Sequence, residues 1–524
     1  MSLCPTPAVL RWSRYRRPLR RAILVAGAAA LALAPTGVAL AQSPVPQASE
    51  FRANAYTSGN QRYQSVGMDA SGGAVVAWTS DGQDGSSFGV YAQRYSPDGT
   101  PQGGEFQVNT TTVSFQAYPS VALAADGTCL IVWQSLGQDG NQFGVYAQRY
   151  GPDGMPQGGE FRVNTTTAGS QGSPAVAMGA DGASVVTWST DGQDGSGFGI
   201  YAQRYSPDGT PNGGEFQVNT HTAGMQTYPA VAVGAGGAFV VAWQSEGQDG
   251  SGQGIYAQRF ASDGTAAGVE IHANEYTDGN QADPSVAMDA NGTVVIAWSS
   301  EGQDGDGNGI YARRYTADGA SPGGEFQVHT TTALFQSNPA VSMNASGDAV
   351  IVWGSDEQDG SSYGVFARSY GPDGAPRSGE FQVNTTTTSF QGFPAVSLAA
   401  DGGFLVVWES MGQDGSAFGV YAQRYTPAAV ASEPGGTEAM ELALAPNPVG
   451  SNGGRITYTL AASQPVRLAV FDVLGREVAL LTDGEQPAGP HALALDVTGL
   501  TPGLYVVHLT AGTDRSVRRM TVTR

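Results

Sequence analysis

The sequence predicts an all-β protein: a closed seven-bladed β-propeller followed by a small Ig-like β-sandwich. Three observations carry this. One stretch recurs seven times at an unvarying spacing of 55 residues, marked by Trp78, Trp133, Trp188, Trp243, Trp298, Trp353 and Trp408. Each copy holds four short runs rich in Val, Ile, Tyr, Phe and Trp, separated by Gly, Asp and Pro turns, which reads as four antiparallel strands. After residue 441 the repeat stops and another alternating pattern begins. Four-stranded units repeated four to eight times mark a propeller, and seven copies suit a closed ring. An open row of small sandwiches or a β-solenoid competes, but 55 residues are too few for a sandwich and too many for one solenoid coil.

The blade reads in order. Its first strand is of the Pro174–Met178 type, with small residues suited to a crowded ring centre. The second, of the Val75–Trp78 type, is apolar almost throughout, as expected of a strand covered on both faces. Its Trp reads as core, since large aromatics bury the most area per residue; a ligand-stacking role is the alternative. The third strand is Val90–Tyr95 and its copies, and the fourth is Glu105–Asn109 and its copies, joined by a Ser-Pro-Asp-Gly-Thr-Pro type turn. A symmetric hairpin would set Arg94 opposite Glu105, and likewise Arg149 and Glu160, Arg204 and Glu215, Arg259 and Glu270, and Arg314 and Glu325, as cross-strand ion pairs. Blade six breaks this rule, with Ser369 opposite Glu380. Phase also predicts the closure. Glu50-Phe51-Arg52 is a fourth strand with no third before it, and Gly419–Tyr425 is a third strand with no fourth after it. Residues 51–54 are therefore expected to clasp the edge of the last blade.

Residues 1–41 read as a secretory signal peptide: an Arg-rich start, an apolar run from Ala22 to Leu33, and Ala39-Leu40-Ala41 before Gln42, which sets cleavage between Ala41 and Gln42. The apolar run is too short and Ala-rich for a membrane span. Residues 42–49 read as a linker, 50–427 as the propeller, 428–441 as a second linker and 442–524 as the sandwich. Net charge is −21, falling to about −27 without the signal, and every basic residue is Arg. Such a surface repels nucleic acid and anionic lipid. Cys4 leaves with the signal and Cys129 stays alone, so the mature chain has no intramolecular disulfide. A monomer is expected.

The Gly-Gln-Asp-Gly loops and the Thr-Thr-Thr-x-x-x-Gln linkers should share one face of the ring. That face is the candidate binding surface, because variable exposed residues on a fixed scaffold are where recognition sits. Its residues are Asp84, Asp139, Asp194, Asp249, Asp304, Asp359 and Asp414 from the loops, with Phe115, Met225, Phe335 and Phe390 from the linkers. Calcium wants carboxylate and carbonyl oxygens. Only Asp304-Gly305-Asp306-Gly307-Asn308-Gly309 resembles a calcium loop, with Asp304, Asp306 and Asn308 as ligands, and it lacks the distal Glu of an EF-hand. An Asp capping its own Gly-rich turn is the simpler reading, and no cofactor is expected. No catalytic set stands out. Gly85-Ser86-Ser87-Phe88-Gly89 matches a nucleophile elbow, but no strand-to-helix turn is plausible there. The five histidines fall at unrelated phases.

The tail carries Pro446-Asn447-Pro448, then Phe471-Asp472-Val473-Leu474-Gly475-Arg476, Ala488-Gly489-Pro490-His491, Gly503-Leu504-Tyr505 and a closing Arg518-Arg519-Met520-Thr521-Val522. In that order it resembles the C-terminal sorting domain of the type IX secretion system. The resemblance implies export to the periplasm, handling by the type IX machinery, and release or attachment at the outer-membrane cell surface. The 55-residue repeats also look like units of large bacterial surface proteins. The function expected is a non-enzymatic binding or adhesion propeller for polysaccharide or a surface protein. The alternatives are an extracellular polysaccharide hydrolase or lyase and a passive surface-layer protein.

Overall fold

Every blade follows one path, clearest around Trp188: Gln171–Met178, Ser184–Asp191, Phe198–Tyr205 and Phe216–Gln217, antiparallel and in sequence order. The computed structural model describes residues 44–426, 442–445, 449, 453–460, 462–472, 476–501, 503–511 and 514–523. The expected signal peptide, its Ala41–Gln42 junction and the linker 428–441 lie outside them. The chain divides into two compact units, the boundary falling between Ala428 and Ala429.

In the first unit the first strands of successive blades pack side by side around the ring, and Gln391–Leu398 of blade seven packs on Gln61–Met68 of blade one. The propeller is closed. All seven repeat tryptophans have no solvent exposure and sit in clusters that each span two neighbouring blades. They are core because the second strand is covered on both faces.

The clasp forms as expected. Phe51 and Arg52 pair with Ala422 and Tyr421, and the Asn54 side chain accepts a hydrogen bond from Val420 N at 2.8 Å. The linker assigned to 42–49 needs correction in its described part: Val45 and Pro46 pair with Thr426 and Tyr425 as a further short strand on the same edge. The last third strand is a residue longer than its copies and offers that edge.

The predicted Arg–Glu pairs are not formed. The turn after the third strand is tight, with Ser96 N donating to Thr100 O, so Arg94 faces Gln102 rather than Glu105. Both residues join blades instead. Arg149 donates to the carbonyls of Gly182 and Pro207 in the next blade, and Arg204 to Ser262 O at 2.8 Å. Glu215 accepts from Thr165 N of the preceding linker at 2.6 Å and from Gln193 Nε2 of its own loop at 2.8 Å. The same joint recurs at Glu380, which therefore needs no arginine at position 369. At the closure Glu50 plays this part, accepting from Thr385 N at 2.6 Å and Gln413 Nε2 at 2.7 Å. Arg424 reaches across the same seam to Gly72 O at 2.8 Å. A double-mutant cycle on Arg204→Ala and Glu215→Ala tests this correction. Coupling below ~0.5 kcal/mol is expected, with each single change costing about 1–2 kcal/mol. Coupling well above that would restore the ion pair.

The second unit is a two-sheet sandwich. One sheet holds Ala443–Ala445, Gly454–Leu460 and Gly489–Leu495; the other holds Glu477–Gln486, Gln464–Asp472, Gly503–Ala511 and Asp514–Val522. Ile456, Leu468, Val470, Val507, Leu509 and Met520 fill the space between them. Among the described residues no helix is long and apolar enough to cross a membrane.

Candidate binding face

The Gln-Asp-Gly loops and the inter-blade linkers do share a face, tied together by the glutamate joints described above. The seven loop aspartates are placed inside their own loops. Asp84 Oδ1 accepts Ser86 N at 3.0 Å, and the copies at Asp139, Asp194, Asp249, Asp304, Asp359 and Asp414 bond the amide two residues on in the same way. The second oxygen lies against the start of the third strand. A Cβ on Gly89 would stand 2.8 Å from Asp84 Oδ2, so glycine is needed at that phase. In blade five His329 takes the place of the usual Asn, and its Nε2 lies 2.8 Å from Asp304 Oδ2.

The three residues of the calcium-like loop make separate contacts. Asp304 faces Asp306 N and His329, Asp306 Oδ2 accepts Leu334 N at 3.2 Å, and Asn308 opens the third strand opposite Glu301. Among the described residues no three or more His, Cys, Asp or Glu side chains are grouped to hold a metal ion.

The concave feature on this face is a central funnel of about 910 Å³ lined by all seven blades. Its wall is built by a bulge in each first strand. Pairing between first and second strands skips two residues, between Arg62 and Ser65 in blade one and at the same phase in every copy. The second skipped residue is proline in six blades and Gln64 in the first. Proline has no N–H to lose where a ladder breaks. The first skipped residue is Tyr63, Tyr118, Ser173, Tyr228, Asp283, Asn338 or Phe393. All seven are left-handed, with φ between 51° and 57°, and all seven line the funnel. Such a conformation costs about 1 kcal/mol or more at each non-Gly position. The chain places glycine at many other left-handed positions yet never here. Sequence reading missed this ring, although it left a signal: a variable residue before an otherwise fixed proline.

The bulge amides are capped by the preceding blade. Thr79 Oγ1 accepts Tyr118 N, Gln134 Oε1 accepts Ser173 N, and Gln244 Oε1 accepts Asp283 N, at 3.1, 2.9 and 3.2 Å. At the closure a buried Glu409 does this, taking Tyr63 N at 2.9 Å and Arg62 Nε at 2.8 Å. Burial pushes the Glu409 carboxyl above its ordinary range, and Arg62 opposes that shift.

The funnel is two-sided. Tyr63 and Tyr118 lie 4.2 Å apart between ring centroids, and Phe115 packs on Phe88, Phe143 and Tyr118. Phe390 packs on Tyr363, Phe393 and Phe418, and the Arg62 guanidinium lies 4.2 Å from the Phe418 centroid, joining the groups into one aromatic arc from blade six to blade two. Blades four and five face it with Thr227, Tyr228, Gln244, Gln253 and Asp283. Burial raises the Asp283 carboxyl, while burial and that carboxyl together raise the Tyr228 hydroxyl. Of the expected residues, Phe115 and Met225 line the funnel, Phe335 is exposed on the same face and Phe390 belongs to the arc.

Several solved structures are similar to this chain. A protein of unknown function from Dyadobacter fermentans is 12% identical, with 73% of this chain and 98% of that one covered and a TM-score of 0.45. An α-L-arabinanase of Penicillium chrysogenum complexed with arabinobiose is 15% identical, covering 59% and 92%, with a TM-score of 0.41. The β-propeller domain of the Trilobed protease of Pyrococcus furiosus is 7% identical, covering 71% and 94%, with a TM-score of 0.41. No curated protein matches the chain. Residues 443–523 match the family described as secretion system C-terminal sorting domain. The second unit is thus the sorting domain of a type IX secretion substrate, and the protein is secreted or attached at the cell surface.

Proposed function

We propose that the protein is a non-enzymatic extracellular binding module that holds a polysaccharide chain in the central funnel. The observation that carries this reading is the ring of seven left-handed side chains. Strain retained at a concave site, where glycine would relieve it, is what a recognition surface requires. The aromatic arc supplies flat apolar faces with polar tips, suited to the C–H faces of sugar rings. Beside and opposite it, Asn338, Ser173, Gln244 and Gln253 supply hydrogen-bonding groups for hydroxyls. A passive place in a surface layer would not need these side chains. A hydrolase of the common type needs two facing carboxyl groups, and the described funnel lining carries one, Asp283.

The test is titration of the full chain against soluble polysaccharides, with Tyr118→Ala and Tyr228→Ala as funnel variants and release of reducing ends followed in parallel. Each variant is expected to weaken binding about tenfold, ~1.4 kcal/mol, with the melting temperature held within a few degrees. Unchanged affinity in both variants would place the ligand elsewhere, and product release lost in Asp283→Asn would make the protein an enzyme.

A further inference from the structure

Asp283 is the single charged side chain among the described residues that line the funnel. Its backbone amide is capped by Gln244, but among the described residues its carboxylate has no hydrogen-bond or ion-pair partner. Arg62 of the arc is committed to Glu409 and to the ring of Phe418, and Arg313 of Asp283's own blade is paired with Glu275. The rim is acidic in five blades, with Asp81, Asp191, Glu246, Glu301 and Asp356 closing their second strands, and Glu246 and Glu301 of blades four and five are exposed. The aromatic arc thus lies across the funnel from an unpartnered carboxylate, under a rim whose charge is negative.

Resting on the reading of the funnel as a glycan site, we infer that the glycan it selects carries free amino groups. An ammonium on a sugar ring would give Asp283 the countercharge it lacks, in a partly desolvated site where such a contact is stronger than in water. The same ring would lay its C–H face on the arc. A neutral sugar leaves the carboxylate unpaired. An N-acetyl group hides the nitrogen's charge, and a uronate or sulfated sugar meets like charge. The funnel thus ranks sugars as amino over neutral over acidic.

Three hexamers of one length decide this, each titrated against the full chain: glucosamine, N-acetylglucosamine and a hexuronate. The glucosamine hexamer is expected to bind at least ~10-fold tighter than its N-acetyl form, with the hexuronate weakest. Asp283→Asn should bring the first two within ~2-fold while retaining binding of the N-acetyl hexamer. The acidic surface alone would also attract a polycation, so the variant is the deciding arm. A preference unchanged in Asp283→Asn, or no preference in the wild type, overturns the inference; the glycan reading still stands if Tyr118→Ala weakens binding of either hexamer. Binding of none of the three overturns both.

Discussion

Deleting residues 42–54 is expected to lower the melting temperature of the propeller by about 10 °C or more. The deletion removes the strands that complete blade seven. With them go the hydrogen bonds from Gln47 N to Arg424 O, Ala53 N to Val420 O, Val420 N to Asn54, Gln423 to Ala48 O, and Thr385 N and Gln413 to Glu50. At about 1 kcal/mol for each bond, with roughly 2 °C per kcal/mol for a domain above 200 residues, the loss reaches this size before the newly bared edge is considered. Glu50→Gln separates the joint from the strand. Burial raises the Glu50 carboxyl, but hydrogen bonds from Thr386, Thr385 and Gln413 outweigh it and hold it below its ordinary range. A carboxyl lowered in the folded state stabilises above its unfolded pKa, and that contribution fades as pH falls through the folded value. The gap between wild type and Glu50→Gln should thus be full at neutral pH and close in acid. A truncated chain melting within 2 °C of the full one would show that residues 45–54 do not hold the ring.

Arg62→Ala should cost about 3–5 kcal/mol, the penalty for leaving a buried charge without its partner. Glu409 has no solvent exposure, and Arg62 is the one cation joined to it in the structure. The remedy is already present elsewhere in the ring. Between blades four and five the same phases are Gln244 and Ala282, and Gln244 caps the Asp283 amide without any charge. The double variant Arg62→Ala with Glu409→Gln should therefore regain most of the stability lost by Arg62→Ala. Because burial raises the Glu409 carboxyl, its contribution is fullest below the unfolded pKa and is lost as pH rises through the folded value. Arg62→Ala should accordingly be least harmful in acid and worsen toward neutral pH. Urea denaturation at several pH values checks this. A double variant as unstable as Arg62→Ala alone would mean that Arg62 acts through the aromatic arc rather than through Glu409.

What the sequence determined by itself is whatever repeats. Hydrophobic alternation and turn residues act over a few positions, so strands, blade count and the buried tryptophans were legible from one copy and its multiples. The clasp was legible because Glu50-Phe51-Arg52 has the phase of a fourth strand and no partner of its own. The tail was legible through an ordered set of motifs.

What only the tertiary structure decided is whatever depends on neighbours 50 or more residues away. Arg94 and Glu105 looked like partners because hairpin pairing is local; a tight turn moved the register and sent both side chains across blade boundaries. Tyr63 and Tyr118 are 55 residues apart and pack together because bulges in adjacent blades aim them at the same space. Arg62 and Glu409 stand at opposite ends of the ring and meet only when it closes. The funnel was hidden for the same reason. Its ring of bulge residues takes one from each of seven blades, spaced 55 residues apart, so its aromatic arc and its single carboxylate exist only once closure has brought all seven to one axis.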